Sequence, residues 1–159
     1  MFNTMQYNGT REENYKLLLQ QLKGLLHGEE DVIANLSNAS SLLNQFLDDV
    51  NWVGFYLMKN GELVLGPFQG LPACVRIQVG KGVCGTAVKE NETQRVADVE
   101  QFPGHIACDA ASKSEIVVPI HVNGEVFGVL DIDSPNLNRF DELDQQYLEE
   151  FVQVISEHL

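Results

Sequence analysis

Three cysteines, Cys74, Cys84 and Cys108, carry the most reactive side-chain chemistry in this sequence. Their odd number argues against a complete set of structural disulfides, and no CxxC pair indicates a redox motif or a zinc knuckle. A zinc site made from the three cysteines and His105 would have an unusual ligand spacing, so we predict no metal site. An isolated cysteine is most often a small buried hydrophobe. These three lie in stretches punctuated by glycine or proline, which favours reactive thiols.

A glycine-rich turn surrounds Cys84. The segment GKGVCG (80–85) matches neither GxGxxG nor GxxxxGK[ST], so it does not predict a nucleotide phosphate site. We interpret it as a strand-to-helix turn in which glycines take unusual backbone angles. Cys84 then lies near a helix N-terminus, a position that favours the thiolate and lowers the thiol pKa.

Acidic residues form a second candidate cluster. Asp131 and Asp133 interrupt the apolar stretch VFGVLDID near its end and, being two apart in a strand, point to one face of a sheet. Two carboxylates on one face repel, so at least one has a raised pKa unless a cation or ligand lies between them. Glu115 opens the strand-like stretch 114–122. The alternative is that all three acids simply begin or end exposed strands.

Elements that position these residues follow from hydrophobic spacing. Helical stripes predict helices over 14–26 and 31–47 and, after an N-cap at Asp141, over 142–158. Asn60-Gly61 and Asn123-Gly124 each indicate a hairpin between strand-like stretches. Pro67 makes the end of its strand an edge or a bulge. Further strands are predicted over 75–79 and 94–99, and the long loop 100–113 is typical of a functional segment.

The order of these elements predicts an α+β domain, a central antiparallel sheet covered by helices. We assign residues 1–13 to an N-terminal arm and 14–159 to a single domain. With 44% hydrophobic residues the chain has enough apolar surface for a core.

Charge and targeting signals exclude several classes of partner. A net charge of −13 disfavours nucleic acid and anionic membrane surfaces. No apolar run is long enough to span a bilayer, and the start lacks the basic and apolar regions of a secretory signal. We therefore expect a cytoplasmic protein, in whose reducing surroundings a disulfide is typically transient and catalytic.

Five motifs together resemble the free methionine-(R)-sulfoxide reductase family, a family of single GAF domains. They are NWVGFY (51–56), LGPFQGLPAC (65–74), GKGVCGTA (80–87), ADVEQFPGHIACDAASKSEIVVPI (97–120) and GVLDIDSP (128–135). The GKGxxG and GVLDIDS patterns are common to GAF domains in general. The three cysteines and GHIACD are specific to the reductases.

The resemblance implies a GAF-like fold with a small enclosed pocket, usually in a homodimer. It implies that Cys108 is the nucleophile, that Cys74 resolves the oxidised intermediate, and that Cys84 is a third cysteine able to assist or substitute. Which of these two is the main resolving thiol stays open. The remaining implied site residues are the pocket acids Glu115, Asp131 and Asp133 and the aromatic wall of Trp52 and Tyr56 beside the substrate methyl group.

The implied reaction is the reduction of free L-methionine-(R)-S-oxide to L-methionine without a bound cofactor. A carboxylic acid polarises the sulfoxide oxygen, the cysteine becomes a sulfenic acid, and a disulfide then forms. Thioredoxin, fed by NADPH, would restore the thiols. We expect backbone N–H groups of loop 100–113 to bind the substrate carboxylate. Alternative functions are a ligand-binding GAF sensor module and a thiol redox sensor.

Overall fold

A six-stranded antiparallel sheet organises the part of the chain described by the computed structural model, residues 2–106, 108 and 110–159. The strand order is β3-β2-β1-β6-β5-β4. The helices are α1 (Arg11–Leu26), α2 (Val32–Phe46), α3 (Gly82–Glu90) and α4 (Glu142–Ser156). The strands are β1 (Trp52–Lys59), β2 (Glu62–Gly70), β3 (Arg76–Gln78), β4 (Gln94–Val96), β5 (Ser114–Val122) and β6 (Glu125–Ser134). The predicted α+β class with a helix-covered antiparallel sheet is confirmed.

Local signals account for most element boundaries. Asn60-Gly61 and Asn123-Gly124 close the β1–β2 and β5–β6 hairpins with positive φ at both positions of each pair. That geometry is the one that the Asn-Gly sequence favours. Helix α1 begins three residues before the predicted start, because Thr10 and Glu13 form a capping box. Asp141 caps α4 as predicted.

Pro67 lies in a bulge of β2, as its sequence context indicated. The β1–β2 pairing shifts between Gly54 and Tyr56, so that Phe55 stands opposite both Gly66 and Pro67. A bulge bends its strand and increases the local twist. The bend lies beside Trp52 and Tyr56, which both belong to the predicted site.

The two faces of the sheet have different tasks. One face packs against α2 and α4, with α1 packed on these two helices, and forms the main hydrophobic core, with Phe55, Ile116 and Leu130 among its fully buried residues. Burying each such side chain contributes about 1.5–3 kcal/mol. The opposite face packs against α3 and a smaller apolar cluster that includes Trp52 and Val117. The smaller cluster leaves room for a cavity.

A polar junction joins α1 to α4. Asp144 is buried, with a side chain only 3% exposed. It accepts hydrogen bonds from Tyr15 Oη (2.6 Å) and Arg11 Nη2 (3.0 Å), and Arg139 Nη1 lies 3.5 Å from its second oxygen. A buried carboxylate needs such partners, because transfer of an unpaired charge from water is very costly.

No helix of the described residues is long and apolar enough to cross a membrane.

We predict that Tyr15→Phe lowers the free energy of unfolding by about 1.5–3 kcal/mol, since it removes a hydrogen bond to a buried charged group. Tyr147→Phe is the matched control. Its ring stacks on Tyr15 at 5.1 Å, and its hydroxyl donates to Glu12, whose side chain is 57% exposed. Urea unfolding at pH 7 measures both variants. Equal losses in the two would contradict the importance of the buried Asp144.

Candidate active site

The pairing of β5 with β6 brings three predicted acids to one face of the sheet. Glu115 stands opposite Asp133, and Asp131 stands opposite Val117, two residues along β5 from Glu115. Side chains at such opposite and diagonal positions are close enough to interact. Glu115 and Asp131 are each only 6% exposed. All three acids line a single cavity.

Burial and mutual repulsion change the protonation of these acids. Burial raises the pKa of Glu115 well above its ordinary range, and the negative charges of Asp131 and Asp133 raise it further. Burial also raises the pKa of Asp131, while hydrogen bonds with Glu115 and Cys84 partly oppose that rise. We therefore assign a retained proton to Glu115, which donates it to the Asp131 carboxylate. Such a proton is available to a ligand oxygen at neutral pH.

The cysteines separate into a bonded pair and a buried thiol. Cys74 and Cys108 form a disulfide with their Cα atoms 5.6 Å apart, within the usual range for such bonds. Cys108 lines the cavity together with the acids. Cys84 is free and buried. Of the two candidate partners for Cys108, the structure therefore pairs it with Cys74. A zinc site from all three cysteines and His105 is incompatible with this disulfide.

The predicted low pKa of the Cys84 thiol is wrong. Cys84 does lie in the first turn of α3, as expected from the glycine-rich turn. Burial nevertheless raises its pKa well above the ordinary value, and the negative charges of Asp131 and Asp133 raise it further. Cys84 is therefore a neutral thiol that hydrogen-bonds to Asp131. A helix terminus contributes only about 0.3–1 kcal/mol, which is less than burial beside carboxylates costs a thiolate.

Trp52 and Tyr56 form an aromatic wall of the cavity. Their rings stack at 5.8 Å, and Phe68 also stacks on Trp52, at 5.1 Å. Trp52 Nε1 donates to Leu71 O (3.1 Å), and Tyr56 Oη donates to Cys74 O (2.8 Å). The same two hydrogen bonds attach the segment that carries Cys74 to β1. The wall and the disulfide are thus held together.

The remaining walls come from α3 and from loop 100–113. The cavity has a volume of about 40 Å³, counted as the space open to the centres of water-sized molecules. Ile106 packs onto the start of α3, where a Cβ on Gly82 would lie 3.1 Å from Ile106 Cγ1. A larger residue at Gly82 would push the loop away. The glycine therefore sets how closely the loop covers the cavity.

Two basic residues, Lys81 and His105, are among the described residues that line the cavity. Neither was predicted from the sequence as a catalytic or substrate-binding residue. His105 Nε2 lies 4.0 Å from Glu115 Oε1. His105 had been considered only as a zinc ligand, although its place in GHIACD beside Cys108 could have signalled a site residue. Lys81 was hidden in the glycine-rich turn. It is the N-cap of α3 but makes no side-chain capping hydrogen bond.

All eight predicted residues thus meet in or directly behind one cavity. Cys74 reaches it through its bond to Cys108, and the other seven line it. The arrangement joins a disulfide, a proton held by a carboxylic acid and an apolar aromatic wall. Their individual roles stay predictions at this point.

Comparison with known proteins identifies the family. A GAF domain family model matches residues 33–159. The chain is 54% identical over 142 residues to the free methionine-R-sulfoxide reductase of Escherichia coli, covering 89% of this chain and 86% of that protein.

Solved structures extend the match to three dimensions. The fRMsr of Staphylococcus aureus, in complex with substrate, is 57% identical with a TM-score of 0.89, covering 98% of this chain and 99% of that one. The free methionine-R-sulfoxide reductase of Neisseria meningitidis, in complex with its substrate, is 41% identical with a TM-score of 0.94, covering 99% and 95%. This chain therefore belongs to the GAF-domain family of free methionine-R-sulfoxide reductases.

Proposed function

We propose that this chain reduces free L-methionine-(R)-S-oxide to L-methionine. The observation that carries the proposal is the Cys74–Cys108 disulfide at a cavity whose buried acids retain a proton. A sulfoxide is a poor electrophile until its oxygen is hydrogen-bonded or protonated, so the reaction needs both groups at one place. Relatives named for this activity support the assignment.

The first step transfers oxygen from substrate to protein. Glu115 donates its proton towards the sulfoxide oxygen, and the Cys108 sulfur attacks the substrate sulfur. The substrate sulfur gains two electrons and leaves as methionine, while Cys108 loses two electrons and becomes a sulfenic acid. Cys74 then condenses with that sulfenic acid, which forms the disulfide and releases water.

We assign the resolving role to Cys74 because it already bonds to Cys108. Cys84 is a poor candidate, since a buried neutral thiol is a weak nucleophile. Its hydrogen bond to Asp131 gives it a positioning role instead. It fixes the carboxylate that accepts the proton of Glu115.

Substrate recognition follows from the same walls. Trp52 and Tyr56 contact the methyl group, while Asp131 and Asp133 attract the α-ammonium group of a free amino acid. Backbone N–H groups of loop 100–113 bind the substrate carboxylate, aided by the positive charge of Lys81. A residue within a polypeptide lacks the ammonium charge, so the site favours the free amino acid.

Electrons for the next cycle come from outside the chain. We propose that thioredoxin, fed by NADPH, reduces the disulfide by thiol exchange in the cytoplasm. We further propose a homodimer in which α4 and one of α1 and α2 make contact. Neither role requires a bound cofactor.

We expect three serine variants to separate the roles of the cysteines. Cys108→Ser loses turnover by about 10³-fold or more, because the nucleophile is missing. Cys74→Ser forms about one methionine per chain and then stops with thioredoxin, because no disulfide can form. Cys84→Ser keeps turnover within a few-fold, because serine can still donate a hydrogen bond to Asp131. NADPH oxidation and methionine yield measure all three. If Cys84→Ser alone failed to form even one methionine per chain, Cys84 rather than Cys108 would be the nucleophile.

Glu115→Gln should lower activity and raise stability. Without the acid, kcat/KM falls by about 10²–10⁴-fold. Between an ordinary carboxyl pKa of about 4.3 and the raised pKa of Glu115, the folded wild-type chain keeps this proton, whereas the unfolded chain has lost it. Wild-type stability therefore falls as pH rises through this window, and the glutamine variant escapes that loss.

Urea unfolding between pH 5 and pH 8 tests the second effect. At pH 8 we expect Glu115→Gln to be more stable than wild type by about 0.5–2 kcal/mol. Glu125→Gln, an exposed acid of the same hairpin, is the control and should leave the pH dependence unchanged. A Glu115→Gln variant less stable than wild type at pH 8 would contradict a raised pKa.

Activity should be confined to the R epimer of the free amino acid. With the methyl group against Trp52 and the oxygen towards Glu115, only one epimer presents its sulfur to Cys108. The other loses a hydrogen bond in a desolvated site, about 1–3 kcal/mol or more, which is roughly a tenfold to hundredfold loss in kcat/KM.

A thioredoxin-coupled assay with the R and S free sulfoxides and an oxidised intact protein tests this specificity. Equal turnover of both epimers would refute the proposed binding mode. No turnover of any sulfoxide would favour a sensor function instead.

A further inference from the structure

We propose that Cys84, Glu115 and Asp131 form a binding site for a thiophilic divalent cation of the zinc type. The cation would occupy the acidic end of the cavity and exclude the sulfoxide. Cation binding is independent of the proposed reductase activity, whereas the exclusion of substrate rests on it.

The three side chains converge from three elements of the fold. Cys84 comes from α3, Glu115 from β5 and Asp131 from β6, and each is less than 10% exposed. One ligand atom of each, a thiol sulfur or a carboxylate oxygen, lies within 4.8 Å of the other two. Tetrahedral zinc with bonds of about 2.3 Å to sulfur and 2.0–2.2 Å to oxygen places its ligand atoms roughly 3.3–3.7 Å apart, so side-chain shifts of on the order of 1 Å bring these atoms into place.

Asp131 supplies an independent sign of a missing ligand. Its Oδ1 atom is buried and has no hydrogen-bond partner among the described residues. Buried polar oxygens are almost always paired, and an unpaired one costs about 1–3 kcal/mol. The second oxygen is the one that remains for Glu115 and Cys84. A cation beside Oδ1 would satisfy the orphaned acceptor.

Ligand chemistry selects the class of ion. One thiol with two carboxylates suits a borderline ion such as Zn²⁺ or Co²⁺. Mg²⁺ and Ca²⁺ take oxygen ligands and gain nothing from the cysteine. Three protein ligands leave a fourth tetrahedral position for water. The preference for a thiophilic ion, which Cys84 provides, therefore distinguishes this site from carboxylates that merely attract counterions.

Access and charge both favour a cation. The three residues line the same solvent-connected cavity, so an ion can enter without unfolding. The chain has a formal net charge of −13, which raises the local concentration of cations. Cys84 loses its thiol proton and Glu115 its carboxyl proton to solvent when they bind the metal.

Cobalt titration of the disulfide form tests the binding. Cys74 and Cys108 are tied to each other in that form, and the chain has 3 cysteines, so Cys84 is its sole free thiol. We expect a near-ultraviolet thiolate-to-cobalt charge-transfer band that saturates at about one ion per chain. Zn²⁺ should abolish the band, and Mg²⁺ and Ca²⁺ should not.

Variants locate the ligands. Cys84→Ser should lose the band, and Glu115→Gln should weaken cobalt binding by at least about tenfold to a hundredfold, the loss that follows removal of an outer-shell partner. His121→Gln is the matched control, an exposed histidine on the same strand as Glu115. It should bind cobalt like wild type. Circular dichroism verifies that each variant is folded. The wild-type titration needs no variant, so a failure to fold does not remove the test.

A competition experiment tests whether the bound cation excludes the sulfoxide from the cavity. It uses the disulfide form of the chain without reductant. Free methionine-(R)-sulfoxide should raise the apparent Kd of cobalt, and calorimetry on the metal-free chain measures sulfoxide binding separately. Sulfoxide binding without competition would overturn the exclusion. If the sulfoxide does not bind at all, the proposed function fails while the cation site stands.

Three outcomes would overturn the cation site itself. They are a wild-type chain without the band, a band that persists in Cys84→Ser, and displacement of cobalt by Mg²⁺ or Ca²⁺ at equal concentration. The last would mean that the carboxylates merely attract counterions.

Discussion

The side-by-side burial of Glu115 and Asp131 is the constraint on which the rest of the site depends. Two carboxyl groups removed from water and placed in one cavity cannot both ionise at neutral pH without a large cost. One proton therefore stays, held by hydrogen bonding and by the negative charges around it. The β5–β6 register imposes this arrangement, and the apolar core on the other face of the sheet stabilises it.

The same low-dielectric surroundings make Cys84 chemically different from the two bonded cysteines. A thiol next to the acids is held neutral, because a further negative charge would add to the repulsion. Cys84 can therefore donate a hydrogen bond but is poorly suited to attack sulfur. Cys108 lies on loop 100–113, outside the regular elements, where it can bond to Cys74.

Much of the fold was predictable because its signals are local. The Asn-Gly hairpins, the cap at Asp141 and the alternation of acids along β6 each depend on neighbours in sequence. The choice between Cys74 and Cys84 as the partner of Cys108 could not be read from spacing, because it depends on how loop 100–113 packs. The pKa of Cys84 was mispredicted for a related reason. Its helix position was visible in the sequence, whereas the acids that surround it come from distant strands.

Strand β1 connects the aromatic wall of the cavity to the main hydrophobic core. Alternate residues point into the main core, Phe55 among them, and the others, Trp52 and Tyr56, face the cavity. Gly54 lies between these aromatic residues, and a Cβ there would overlap Phe68 and come within 2.8 Å of Trp52. The missing side chain lets the rings stack flat against the bulged strand. The aromatic wall is therefore built on a strand that is itself part of the main core, whereas the proposed thiol cycle involves cysteines outside the strands and helices.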